Sequence, residues 1–188
     1  MHVTKAAVIQ VASEIADKDG LKGVSLKNVA EKLHIRTPSL YNHIQGLDDL
    51  LRQVAHTGMK TMNERMAKAA IGTAGDAAIQ SVGVAYLQFM IEHPGVYETI
   101  QWATWNGDKE TAQIFDTYTS LLTTLILSCG FTKQNIEEIL HLLMGVLHGY
   151  TTLRLGFALA EPEVAKTDLC NAIDTVLLGI HQKYQTRN

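Results

Sequence analysis

Residues 25–51, SLKNVAEKLHIRTPSLYNHIQGLDDLL, constrain this chain more than any other stretch. They read as two short helices joined by a tight turn, followed at once by the start of a third. Ser25 precedes an apolar run and can accept a hydrogen bond from a first-turn N–H. Leu26, Val29, Ala30 and Leu33 recur at helical spacing, so that helix has one apolar face. His34 and Ile35 break the pattern. Thr37 and Pro38 then fit the N-cap and first position of a new helix, where the N–H that proline lacks costs nothing. Leu40 and Ile44 lay the second helix on the first. Its other face offers Arg36, Thr37, Ser39, Tyr41, Asn42 and His43, all able to hydrogen-bond. A short helix whose N-terminal end is polar but largely uncharged meets the requirements for reading a DNA major groove.

The stretch resembles the N-terminal DNA-binding domain of TetR-family transcriptional regulators. The resemblance covers roughly the first 55 residues. It is carried by Gly20, Val24-Ser25-Leu26, Val29-Ala30, Leu33, Ile35, Pro38-Ser39-Leu40-Tyr41-Asn42-His43-Ile44 and Leu50-Leu51. Three residues depart from the family pattern. His34 replaces the usual turn glycine, Ala16 stands where an aromatic plug is common, and Leu47 stands where a phosphate-contacting lysine is usual. The expected DNA face is Ser25, Lys27, Arg36, Thr37, Pro38, Ser39, Tyr41, Asn42 and His43. Thr37, Pro38 and Ser39 are the best candidates for base edges, since hydroxyls serve several bases and a proline ring can meet a thymine methyl. The resemblance implies that Tyr41 and His43 position phosphates and that Lys27 contacts DNA, where it would otherwise be a solvated charge.

Charge agrees in sign but not in strength. The whole chain is at −3, yet residues 1–60 hold eight Lys/Arg against six acids, a net +2 that leaves −5 for the rest. So mild a bias predicts that tight DNA binding needs two copies of the domain. The two cysteines, Cys129 and Cys170, form no CxxC or regular framework, which fits a reducing cytoplasm. No signal peptide is visible. The apolar stretches are interrupted before about 18 residues, so no membrane span is expected.

The remainder reads as all-α, about nine helices in total. Residues 4–19 form the first, with Ala7, Val8, Val11, Ala12 and Ile15 inward and Gly20 as a left-handed stop. A long connector starts near Leu47, with Asp48 and Asp49 favouring the dipole, and continues to about Ala70. Asp76 is a candidate cap for a helix to His93, which Pro94-Gly95 breaks. A short helix over 96–105, one over 108–129 ending at Gly130, one over 132–159 capped by Thr132, and one over 164–184 follow. The expected domains are 1–50 for DNA binding and 51–188 for effector binding and dimerisation.

The 132–159 helix is nearly apolar all round, so it is expected to be buried on more than one side. Ile139, Leu143, Val146, Tyr150, Leu153 and Phe157 make one face, and Gly145, Gly149, Thr152 and Gly156 another. Glycine inside a helix costs about 1 kcal/mol relative to alanine, so a small-residue stripe points to a second backbone close by. Leu169, Ile173, Val176, Leu177 and Ile180 add an apolar face on the last helix. Together they suit a four-helix bundle across a two-fold axis. TetR-type proteins usually dimerise there, which implies a homodimer through Lys133–Leu159 and Val164–Tyr184. Leu147-His148-Gly149 also resembles a His-Gly signature of one TetR subgroup, with Met144 where tryptophan is usual.

Tyr86, Phe89, Met90, Tyr97, Trp102, Trp105, Phe115 and Tyr118 fall where family members hold their effector. With Met144 and His148 they are the candidate ligand-binding set; core packing is the competing reading for each alone. Arg154 pairs with a buried carboxylate, snorkels from the helix end or contacts an anionic ligand. No GxSxG, HExxH or P-loop is present, and His141, His148 and Glu137 lack metal-ligand spacing. The expectation is therefore a regulator, not an enzyme, with no cofactor and no metal. Its partners are a double-stranded operator, an unidentified small molecule and a second copy of itself. The rival of another class is a helical ligand-binding module without DNA binding.

Overall fold

The computed structural model describes residues 3–156 and 161–184. Among these every regular element is helical. The α-helices are α1 (Lys5–Asp19), α2 (Leu26–Lys32), α3 (Leu47–Ala69), α4 (Gly75–Glu92), α5 (Pro94–Asn106), α6 (Lys109–Ser128), α7 (Ile136–Leu155) and α8 (Pro162–Tyr184). Between α2 and α3 lies a 3₁₀ element, Thr37–Asn42, and shorter 3₁₀ turns cover Leu21–Gly23 and Lys133–Asn135.

The chain packs as two units. One holds residues 1–61 and 93–115; the other holds 62–92 and 116–188. Packing is not divided at the expected boundary of residue 50, because α5 returns to α1.

In the first unit, α1 packs on α2 and α5, and Val8, Ala12, Ile15 and Ala16 of α1, Val29 and Ala30 of α2, Leu40 and Ile44 beyond it, and Leu50, Leu51 and Val54 of α3 are all buried. Gly95 lets α5 close on α1, for a Cβ there would stand 1.8 Å from the Ala16 carbonyl oxygen. Side chains then tie the two helices. Asp17 accepts from the N–H groups of Gly95 and Val96 at 3.0 and 2.9 Å, satisfying the start of α5. His93 Nδ1 lies 2.9 Å from the same carboxylate. Glu98 accepts from the Leu21 N–H at 2.7 Å. Pro94 opens α5 and does not merely break α4.

In the second unit, α4 lies against α7 and α8. A Cβ on Gly83 would meet Ile173 Cδ1 at 2.7 Å and Leu147 Cδ2 at 3.1 Å, which shows how tightly the three helices converge. Ile139, Leu143 and Leu147 of α7 and Leu169, Ile173, Leu177 and Ile180 of α8 are buried there.

Several local expectations are corrected. Gly20 stops α1 at φ 73°, ψ 173°, not in the left-handed helical well but in a region essentially confined to glycine. Gly130 does carry positive φ, 85°. Asp76 caps nothing, since its carboxylate lies 2.9–3.0 Å from His181 Nε2. Thr132 precedes a 3₁₀ turn and makes no side-chain cap bond. The buried row of α7 follows i+4 spacing through Leu147 and Thr151, so Val146 and Tyr150 are half-buried and Leu153 is exposed. The helix ends at Leu155 with Gly156 as its C-cap, short of the expected end near Leu159, and Phe157 lies outside the described residues.

Candidate nucleic-acid interface

Ser25 and the turn after α2 set the face. Ser25 Oγ accepts from the Asn28 N–H at 3.1 Å, and the Asn28 amide donates to the Gly23 carbonyl at 2.8 Å. The serine hydroxyl is thus first a cap, with its proton left to offer. At the far end the Ile35 N–H donates to the Ala30 carbonyl (3.0 Å) and the His34 N–H to that of Glu31 (3.1 Å). These are the paired bonds of a Schellman stop. His34 sits at φ 56°, the single non-glycine positive φ among the described residues. The chain reverses there as it does with glycine.

Arg36, not Thr37, caps the following element, which is 3₁₀ through Asn42 with Pro38 in its first turn. The Ser39 N–H closes it onto the Arg36 carbonyl at 2.8 Å. Leu40 is fully buried and anchors it; Tyr41, at 57%, stands in solvent. Lys27, Arg36, Pro38 and Asn42 are exposed, while Ser25, Thr37, Ser39 and His43 are half-buried. The nine expected residues therefore share the α2 start and the 3₁₀ element. Next to them α3 opens with Asp49 accepting from the Gln45 N–H at 2.8 Å. Leu47, in the position of the expected lysine, is exposed.

Charge on this face is partly consumed. Lys27 lies 3.9 Å from Glu31, and Lys32 lies 3.3 Å from Glu14. Hydrogen bonds from Gln10 and then Lys32 hold the Glu14 carboxyl below its ordinary range.

A second polar cluster in the same unit had no sequence signal. His56 of α3 is 3% exposed and faces the start of α6. Its Nε2 lies 2.7 Å from Thr111 Oγ1 and 3.7 Å from Asp108, and its Nδ1 is 3.6 Å from Glu110. Asp108 and Thr111 exchange a reciprocal cap, with N–H to oxygen distances of 3.0 and 3.1 Å. Lys60 donates to Glu110 at 2.9 Å. Burial is the main influence on His56 and lowers its pKa, against the smaller opposing pull of Glu110 and Asp108.

The candidate ligand residues divide. Tyr97, Trp102, Trp105 and Phe115 lie in the first unit; Tyr86, Phe89, Met90, Tyr118, Met144 and His148 lie in the second. Tyr97 is buried core, Trp102 is half-buried, Phe115 is exposed, and Trp105 is 88% exposed, so it walls no pocket within its unit. In the second unit Tyr86, Phe89, Met90 and Tyr118 are all buried, and the rings of Tyr86 and Tyr118 stack at 6.1 Å. Met144 is half-buried and His148 exposed. An open groove of about 360 Å³ beside α4 is lined by Ser81, Val84, Ala85 and Gln88 with Cys170 of α8. Burial, with Asp76 beside it, pushes the Cys129 thiol up to about 12, and burial also raises Cys170. Neither is a nucleophile near neutral pH.

A surface of another kind runs along α7 and α8. Leu142, Leu153, Val164 and Leu178 are exposed, and among the described residues nothing outside the helix's own backbone lies within 4 Å of a Cβ built on Gly145, Gly149 or Gly179. No described helix is long and apolar enough to cross a membrane.

Comparison with known proteins adds the following. Residues 79–173 match the model of the tetracyclin repressor-like C-terminal domain. An uncharacterized HTH-type transcriptional regulator of Bacillus subtilis, YobS, is 34% identical over 95% of this chain and 93% of its own. A protein of unknown function from Rhodococcus sp. RHA1 superposes with a TM-score of 0.82 at 17% identity, over 95% of both chains. A TetR variant from Acinetobacter baumannii AYE, solved in complex with minocycline, gives 0.73 at 17% identity, over 97% of this chain and 99% of its own.

Proposed function

We propose, from the premise that the chain belongs to the TetR family of DNA-binding transcriptional regulators, that it is a repressor released from a palindromic operator by a small, mainly apolar effector. The observation that carries this reading is the exposed polar face built from the start of α2 and the 3₁₀ element on a buried apolar base. Two such faces in a dimer would enter successive major grooves about 34–36 Å apart. The second copy would seat on α7 and α8, across Lys133–Leu159 and Val164–Tyr184. Exposed leucines and open glycines there support that assignment. Such a regulator works in the cytoplasm, beside its DNA.

The effector is assigned to the second unit, around Tyr86, Phe89, Met90 and Tyr118, with Met144 and His148 at the edge. It acts only through a difference in affinity between the DNA-bound and released conformations. By linkage, the operator weakens the effector by the same factor that the effector weakens the operator.

A second reading, a ligand-binding module without DNA binding, is favoured by Leu47 and by the ion-paired Lys27 and Lys32. A mobility shift with duplex fragments, at low and then physiological salt, separates the two. Retarded bands that specific fragments resist losing to random competitor support the repressor. No retardation at either salt sinks it.

A further inference from the structure

We infer that the base-reading edge of the DNA face is the row Arg36–Ser39–Asn42, with Arg36 taking a guanine and Asn42 an adenine. This rests on the DNA-binding reading above. In a 3₁₀ element residues three apart eclipse, so the side chains sort into three rows. Thr37 falls in line with Leu40, which is fully buried, and with half-buried His43. Pro38 and Tyr41 form a second row. Ser39 and Asn42 form the third, and Arg36, the extended N-cap residue, leads into it; Arg36 and Asn42 are both exposed. In an α-helix Thr37 would instead line up with Tyr41, four residues on, as sequence periodicity assumes. The change of helix type therefore turns Thr37 toward the inner row.

The partners of these side chains point the same way. Lys27 and Lys32 face carboxylates. Arg36 has no ion pair and the Asn42 amide no hydrogen bond among the described residues. The backbone under Arg36 is fixed on both sides, by the turn at His34 and by the Ser39 N–H on its carbonyl. A guanidinium fork carried on that backbone matches O6 and N7 of guanine, and a carboxamide matches N6 and N7 of adenine. Ser39 between them can serve several bases. At roughly 2 Å rise per residue, Arg36 and Asn42 stand about 12 Å apart. With bases about 3.4 Å apart along a strand, that is three to four steps.

The test is selection from a randomised duplex library with the unmodified protein and with Arg36→Ala, Arg36→Lys, Asn42→Ala and Thr37→Ala, each checked for helical content. The unmodified protein should enrich an inverted repeat with a guanine and an adenine three to four steps apart in each half-site. Arg36→Ala should lose the guanine preference, roughly 5- to 150-fold, and keep the adenine. Arg36→Lys should keep low-salt binding and lose most of the guanine preference. Asn42→Ala should show the reverse loss, and Thr37→Ala should leave the consensus unchanged. If Arg36→Ala weakens every sequence equally, or if Thr37→Ala is the variant that erases a base, the row is wrong although DNA binding stands. If the unmodified protein enriches nothing, the DNA-binding reading falls and the row with it.

Discussion

Gly95 and Ala16 touch backbone to backbone: a methyl group on Gly95 would stand 1.8 Å from the Ala16 carbonyl oxygen and 2.0 Å from its carbon. No rotamer change can relieve such a contact, because both partners are main chain. Gly95→Ala should therefore cost at least about 3 kcal/mol, the upper end of ordinary overpacking. Thermal or urea denaturation followed by circular dichroism should show the loss. An unchanged midpoint would mean that α5 moves away from α1 at little cost.

His34→Gly should act in the other direction. Left-handed backbone costs an ordinary residue about 1–2 kcal/mol, and His34 holds φ 56°. Part of the gain is offset by glycine's greater freedom in the unfolded chain. A net stabilisation of about 0.5–1 kcal/mol is expected, read as a higher urea midpoint at constant slope. Destabilisation would show that the imidazole makes an interaction worth more than its strain.

His56 predicts a pH dependence in a window free of the carboxylates. Burial lowers its folded pKa, so below about 6.5 the unfolded chain takes up the proton first. Its contribution is full above that value, declines as pH falls toward the folded pKa, and is gone below it. Unfolding free energy measured from pH 7.5 down to 5 should fall, and His56→Gln should flatten the slope. The lowered pKa values of Glu14, Asp108, Glu110 and Glu138 act at more acidic pH. A slope unchanged by His56→Gln would place the titration elsewhere.

Leu47→Lys should strengthen binding to any duplex. The side chain is exposed at the start of α3, beside the DNA face. One added phosphate contact steepens the plot of log affinity against log salt by about 0.9. Fluorescence anisotropy with a random duplex at several salt concentrations measures it; an unaltered slope would place residue 47 out of reach of the backbone.

Gly149→Leu should leave the protomer folded yet weaken its self-association. Among the described residues a Cβ on Gly149 meets nothing outside its own helix, so the added side chain is expected to press chiefly on a second copy. Overpacking by about 1–3 kcal/mol would raise the dimer dissociation constant roughly 5- to 150-fold. Sedimentation equilibrium reads this directly. Equal association would move the interface away from this glycine.

What the sequence disclosed followed the range of the interactions involved. Helix positions were legible because caps, glycines and apolar spacing act within a few residues, as at Ser25, Gly130 and the row through Ile173 and Leu177. The 3₁₀ geometry of Thr37–Asn42 was not, since the same Pro38 and Leu40 suit an α-helix. Asp17 on Gly95 and Glu98 on Leu21 join residues nearly eighty positions apart, and local patterning carries no trace of such pairs. His56 looked like one more residue of a connector helix until Thr111 was placed against it. Trp105 shows the converse: an aromatic near a loop suggested a pocket wall, and it stands in solvent.

The return of residues 93–115 to α1 also decides where this chain can be cut. A fragment ending at residue 61 would bare the Ala16 backbone and leave Asp17 and the Leu21 N–H without their native partners from α5. A hybrid made by grafting only the first fifty or sixty residues onto another receptor would thus inherit the reading face without the brace beneath it. A splice that carries 93–115 along with the N-terminal segment keeps that brace, at the cost of two junctions more.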